Sequence, residues 1–272
     1  MITNDHRRVR SPRIIHRWMR ALACLTSFAV LSGASIPAPP VLDQVEQRLL
    51  KIFDGDVEVS ASSAKIDRKA LLDRVRKAGI AEYTQYQDDQ RRSLRITTHP
   101  AKRTLPVWPK SDGDPMTINV PGESTSWIIK SGSSIVMPAQ LDLTQSVSVT
   151  YDPPEVRLFA GADPKPVNMG VKVYDIQGTG SPEHTGSLRV TTIDRGVRRI
   201  KTPAGTFDVV MYRNDYKGEI GPASVDDTSL IFVSPTHGMV ASIEHKKVSA
   251  LIFYNKDTRL GYTLASTSHS KR

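Results

Sequence analysis

The chain has 272 residues, 39% apolar, 24% charged and 6% aromatic, with 17 Gly and 18 Pro. These fractions lie near the globular average and exclude a collagen-like, wholly disordered or polytopic membrane chain. The formal charge is +9, but six Arg (Arg7, Arg8, Arg10, Arg13, Arg17, Arg20) against one Asp (Asp5) place +5 of it in the first twenty residues, leaving the rest mildly basic.

That basic opening leads into an uncharged apolar run, residues 21–34, ending in Ser32-Gly33-Ala34. Basic, apolar and small-residue segments in this order predict a signal peptide over 1–34, cut after Ala34, with a cut after Ala38 as the alternative. The run is short for a helix spanning about 30 Å of hydrocarbon, so an uncleaved anchor is the secondary reading. Arg7-Arg8 lacks the flanks of a twin-arginine signal, which favours the general secretory route. Cys24, the sole cysteine, lies inside the apolar run, whereas a lipoprotein signal places its cysteine after it. Removing 1–34 leaves no disulfide framework, thiol nucleophile or thiolate metal site.

After a Pro-rich linker, Val41, Val45, Leu49 and Ile52 recur at helical spacing and predict a helix over about 41–54, stopped by Gly55. A second helix is expected over about 67–78, capped by Ser63 or Asp67 and ended by Gly79. Its apolar face would be Ala70, Leu71, Val75 and Ala78. Beyond residue 80 the period changes to 2, and β-branched runs alternate with Gly, Pro and Asn/Asp breaks. LRIT (94–97), SWIIK (126–130) and SVSVTY (146–151) are the clearer early strands, while prolines make 100–122 a loop with short edge strands.

The last third reads as a meander with turns at Asp194-Arg195-Gly196, Pro203-Ala204-Gly205, Pro235-Thr236-His237-Gly238 and Asn255-Lys256-Asp257. Leu230, Ile231, Phe232 and Val233 are apolar on both faces and belong in the sheet's centre. The expected fold is α+β and mostly antiparallel β: a curved meander sheet or half-barrel with the N-terminal helices packed against it. One exported domain would cover 35–265, with strands over about 90–265 and a frayed tail at 266–272.

Chemistry-bearing patterns are sparse. His99, His184, His237, His245 and His269 have no metal-ligand spacing, and no nucleophile elbow or dinucleotide fingerprint occurs. Asp226-Asp227, near Asp215 and Glu219, has weak cation binding as its functional reading, but a solvated acidic loop is the better one because the calcium-loop spacing is absent. Basic residues occur as dispersed pairs without interleaved aromatics, which argues against nucleic acid. No catalytic residue, cofactor or metal is expected.

Four segments carry a resemblance: YDPPEVRLF (151–159), VKVYDI (171–176), IKTPAGTFDVVMYR (200–213) and LIFVSPTHGMVASIE (230–244). Together they resemble the TapB-like group of exported bacterial domains, over about a third of the chain. The resemblance implies an envelope-located β-rich module, related in outline to curved carriers of lipids or lipoproteins, with no catalytic residues to transfer.

The expected function is therefore a non-enzymatic periplasmic or secreted module that binds a hydrophobic ligand, such as a lipid, or an envelope protein. Phe207, Val209, Met211, Phe232 and Ile252 are the candidate lining residues, with ordinary core as their alternative role. A structural or assembly protein without a pocket is the second reading, and an enzyme of unrecognised type the third. No stable membrane span is expected once the signal is removed.

Overall fold

Gly261 pairs with Tyr86 and Leu264 with Tyr83, and this short ladder joins the last strand of the chain to an early one. The computed structural model describes residues 39–101, 114–176, 180–250 and 254–266. The segment expected to be a signal peptide (1–34) and Ile252 lie outside the described residues. After α1 (Gln44–Leu50), a 3-10 turn (Lys51–Phe53), β1 (Glu58–Ala61) and α2 (Arg68–Val75), the chain is almost wholly strand. The strands are β2 (Gly79–Gln87), β3 (Gln90–Pro100), β4 (Met116–Val120), β5 (Ser124–Ser131), β6 (Ser134–Asp142) and β7 (Val147–Phe159). They continue as β8 (Val167–Asp175), β9 (His184–Thr202), β10 (Gly205–Ile220), β11 (Ala223–Ser234), β12 (Gly238–Ala250) and β13 (Tyr254–Leu264).

Each strand from β2 onward pairs antiparallel with the next, and β13 returns to β2. The result is a closed, twelve-stranded, up-and-down barrel, with β1 added beside the far end of β9. This corrects the expected α+β fold. The sheet is not an open curved meander or half-barrel with helices laid against it, and two short helices leave the class mostly β. Closure satisfies backbone groups that an open sheet would leave exposed at its two edges.

Local signals account for the elements, with some shifts. Asp43 caps α1 in a capping box: its carboxylate accepts from Val45 N at 2.9 Å and Glu46 N at 3.0 Å, while Glu46 accepts from Asp43 N at 2.9 Å. Val41 stands outside α1 and is 84% exposed. Asp67 caps α2 as expected, but Gly79 opens β2 instead of ending the helix. The turn expected at 194–196 is a bulge within β9. Arg195 and Gly196 there face the single Met211, between the Tyr212–Asp194 and Val210–Val197 pairs, and Gly196 supplies φ +83°. No turn falls at 255–257 as expected: Asn255 and Asp257 lie within the ladder and pair with Ser249 and Lys247.

Alternation divides the core into two faces. Val209 and Met211 of β10, with Leu230 and Phe232 of β11, pack outward beneath Leu49 and Phe53. Val210, Tyr212, Ile231 and Val233 point inward and meet Leu71 and Leu72 of α2. Away from α1 many outward positions are charged and exposed, among them Arg95, Lys172, Arg189, Lys217, Lys247 and Arg259, although Trp127, Ile129 and Tyr174 are buried. A lipid-facing band requires a continuous apolar exterior, and these charges interrupt it. No helix among the described residues is long and apolar enough to cross a membrane.

Candidate functional site: the barrel lumen

Inward side chains just fill a barrel of about eight strands, and twelve strands enclose more than they can fill. The lumen here has a volume of about 1280 Å³. Ile128, Val149, Met169, Val171, Val225 and Ile231 supply much of its apolar wall. These residues come from β5, β7, β8 and β11, so the apolar surface runs around the circumference.

One end is filled by α2. Its Leu71 and Leu72 are essentially inaccessible and share one buried cluster with Ile128, Ile135, Leu158, Val210, Tyr212 and Ile231 of the wall. Arg68 Nε to Asp194 Oδ2 (2.5 Å) and Lys130 Nζ to Asp73 Oδ1 (2.5 Å) tie the helix to β9 and β5. Tyr212 donates to the Phe159 carbonyl at 2.8 Å beneath it. Toward the other end the wall is uneven, because β4 has only five residues and β13 meets β2 only through its last four. A polar clasp gathers on this low side, where Glu123 accepts from Gln85 Nε2 at 2.5 Å and also from Arg92 and Tyr262.

Between these ends a band of polar side chains interrupts the apolar wall. Glu155 Oε1 accepts from Arg157 Nη1 and from the Tyr216 hydroxyl, each at 2.6 Å, and Arg157 lies 3.2 Å from the same hydroxyl. Burial pushes Tyr216 and Tyr151 well above the usual tyrosine value, and Glu155 adds to both shifts. Burial acts to lower Arg157, but Glu155 and Tyr216 outweigh it and hold the guanidinium charged. Asp227, Glu244 and Lys246 stand across the lumen on β11 and β12. Burial first, and then the Glu244 carboxylate, push Asp227 up to about 9. Asp227 is therefore a neutral acid at pH 7.

Such a site offers an apolar channel with hydrogen-bond donors and acceptors fixed part-way along it. Among the described residues no group of three or more His, Cys, Asp or Glu is placed to hold a metal ion.

Phe207, Val209, Met211 and Phe232 lie together on the outward face, beneath α1 and the 3-10 turn, and none lines the lumen. Asp226-Asp227, read as a solvated loop, belongs to β11: Asp226 points out to solvent and Asp227 points in and is buried. Sequence reasoning passed over Glu155, Arg157, Glu244 and Lys246, and it took Asp227 as solvated. The available signal was parity: in Val225, Asp227, Ser229, Ile231 and Val233 the acid shares a face with core residues.

A closed antiparallel barrel, charged outside and apolar inside, with a ligand-sized lumen, is the class that fold and site define. No family model and no curated protein matches the chain. Two solved structures are similar in part. One, from Bacteroides fragilis, is described as an exported protein of YmcC-like fold, with 12% identity and TM-score 0.41 over 69% of this chain and 93% of that one. The other, described as a lipoprotein from Parabacteroides distasonis, has 12% identity and TM-score 0.38 over 70% of this chain and 95% of that one. Neither comparison reaches the TapB-like group.

Proposed function

We propose that this protein is a non-enzymatic carrier of the bacterial envelope, reached through the export signal, that holds a hydrophobic or amphiphilic molecule inside its barrel. The observation that supports this reading is the lumen of about 1280 Å³, above the usual 300–1,000 Å³ range of small-molecule pockets and lined by Ile128, Val149, Val171 and Ile231. An apolar cavity of this size releases ordered water when an acyl chain enters it, which favours binding. An assembly protein working through surface contacts has no need of such a space. Localisation outside the cytoplasm follows from the basic, apolar and small-residue order of the first 34 residues.

Titration with the neutral fluorophore N-phenyl-1-naphthylamine tests the reading. Saturable enhancement, reversed by a long-chain competitor, is the expected result. Absence of enhancement, together with no co-purifying lipid in native mass spectra of protein taken from its own envelope, would overturn it.

A further inference from the structure

The polar band in the lumen leaves an acceptor unpaired on the cavity wall. Asp227 pairs with Lys246 in the β11–β12 ladder and Ser229 with Glu244, so the two carboxyl groups are diagonal neighbours on the inner face. Asp227 is only 8% exposed, and its Oδ1 is buried without a hydrogen-bond partner among the described residues. Buried polar atoms in folded proteins are normally satisfied, so an orphaned acceptor on a cavity wall points to an occupant that donates.

The surrounding charges define that donor. The groups facing Asp227 are Glu244 and Lys246 on β12, Tyr151, Glu155 and Arg157 on β7, and Tyr216 on β10. Glu155 is engaged by Arg157 and Tyr216. Asp227 is protonated at pH 7, so the Glu244 carboxylate and the Lys246 ammonium offset each other, and Lys256 of β13 also stands on the lumen wall. An ammonium that displaces the Asp227 proton leaves the net charge of the set unchanged, an exchange that neither a hydroxyl nor an anion can make.

We propose that the lumen binds an amphiphile through a protonated primary amine, held between Asp227 and Glu244, with its chain against Val149, Val171 and Val225. This rests on the carrier reading and assigns the head group. The ammonium donates to the orphaned Oδ1 and favours the ionised carboxylate. At pH 7 the Asp227 proton therefore leaves to solvent as the ammonium enters.

The test uses dodecylamine, dodecanol and dodecanoate, below their micellar concentrations, as competitors of N-phenyl-1-naphthylamine at pH 7. Dodecylamine should bind at least tenfold more tightly than dodecanol, with dodecanoate weakest. Calorimetry in buffers of different ionisation enthalpy should register release of about one proton per amine. Asp227→Asn should erase both the preference for the amine over the alcohol and the proton release. If that variant fails to fold, Glu244→Gln, at a position open to the lumen, should reduce the preference in its place. Equal affinities, or dodecanoate binding most tightly, would overturn the amine assignment while the carrier reading stands. Failure of the fluorophore itself to bind would overturn both.

Discussion

Glu46 of α1 and Arg195 of β9, 149 residues apart, form a two-pronged ion pair on the outside of the barrel: Nε to Oε1 at 2.5 Å and Nη2 to Oε2 at 3.0 Å. Glu46 is fully buried, and the same carboxylate closes the α1 capping box. One side chain thus fixes both the start of the helix and its seat on the wall. The β9 bulge makes the reach possible, because its extra residue turns Arg195 outward while Asp194 stays inward to meet Arg68.

Removing one partner of a buried pair strands the other charge, a loss of about 3–5 kcal/mol. Glu46→Ala and Arg195→Ala should each lower the urea midpoint by an amount of that order. The double variant should lose clearly less than the sum, since the two changes remove the same interaction. Additive losses would show that the pair does not couple the helix to the barrel.

Asp227 gives stability a pH dependence of definite sign. Its folded value is raised to about 9, against about 3.9 in an unfolded chain. Between those values the folded state keeps a proton that the unfolded state has released. The stabilisation is complete below about pH 4 and is lost as pH rises through 9. Asp227→Asn should flatten this slope, so that the variant gains on the wild type between pH 5 and pH 8. Urea titrations at both pH values measure the difference, and an unchanged slope would place the proton elsewhere.

Val149 is half-buried on the lumen wall of β7. Val149→Trp adds bulk into open space, so it should block the lumen without overpacking a filled core. Binding of N-phenyl-1-naphthylamine should weaken at least tenfold, while stability changes by less than about 1–3 kcal/mol, the usual penalty where a core is already full. A variant that binds normally would show that ligands enter elsewhere.

The hairpin between β9 and β10 turns at Pro203-Ala204, with Gly205 at φ +132°. A Cβ there meets only Phe207 at 3.7 Å, so the barrier to substitution is backbone conformation and not space. Gly205→Val should cost about 1–2 kcal/mol. Phe207→Ala, which removes a side chain 8% exposed and edge-on to His237 at 5.0 Å, should cost about 3–5 kcal/mol. Chemical denaturation of the two variants checks the ordering.

Much of the local structure was legible because it is encoded within a few residues. Asp67 announces α2, Pro203-Ala204-Gly205 announces a hairpin, and Leu230 to Val233, apolar on both faces, announces a strand covered on both sides. Composition and the order of the first 34 residues likewise carry the expectation of export. Errors fell where a local cue has two structural meanings. Asp194-Arg195-Gly196 has turn residues, but a positive φ serves a bulge as well as a reversal, and the pairing of β9 with β10 on both sides of it selects the bulge.

The amino-acid sequence alone determined that this is a strand-dominated chain of alternating faces, without thiol chemistry beyond Cys24 and without a recognisable catalytic motif. Tertiary structure decided that the sheet closes, because closure rests on Gly261 to Leu264 meeting Tyr83 to Tyr86 across most of the chain, a pairing no local period records. Closure in turn decided which face became a lumen. Val209 and Val210 are the same residue in the sequence, yet one packs outward beneath α1 and the other lies inside beneath α2. An alternating strand states that two faces differ, and only the curvature of the closed wall determines which of them encloses a ligand.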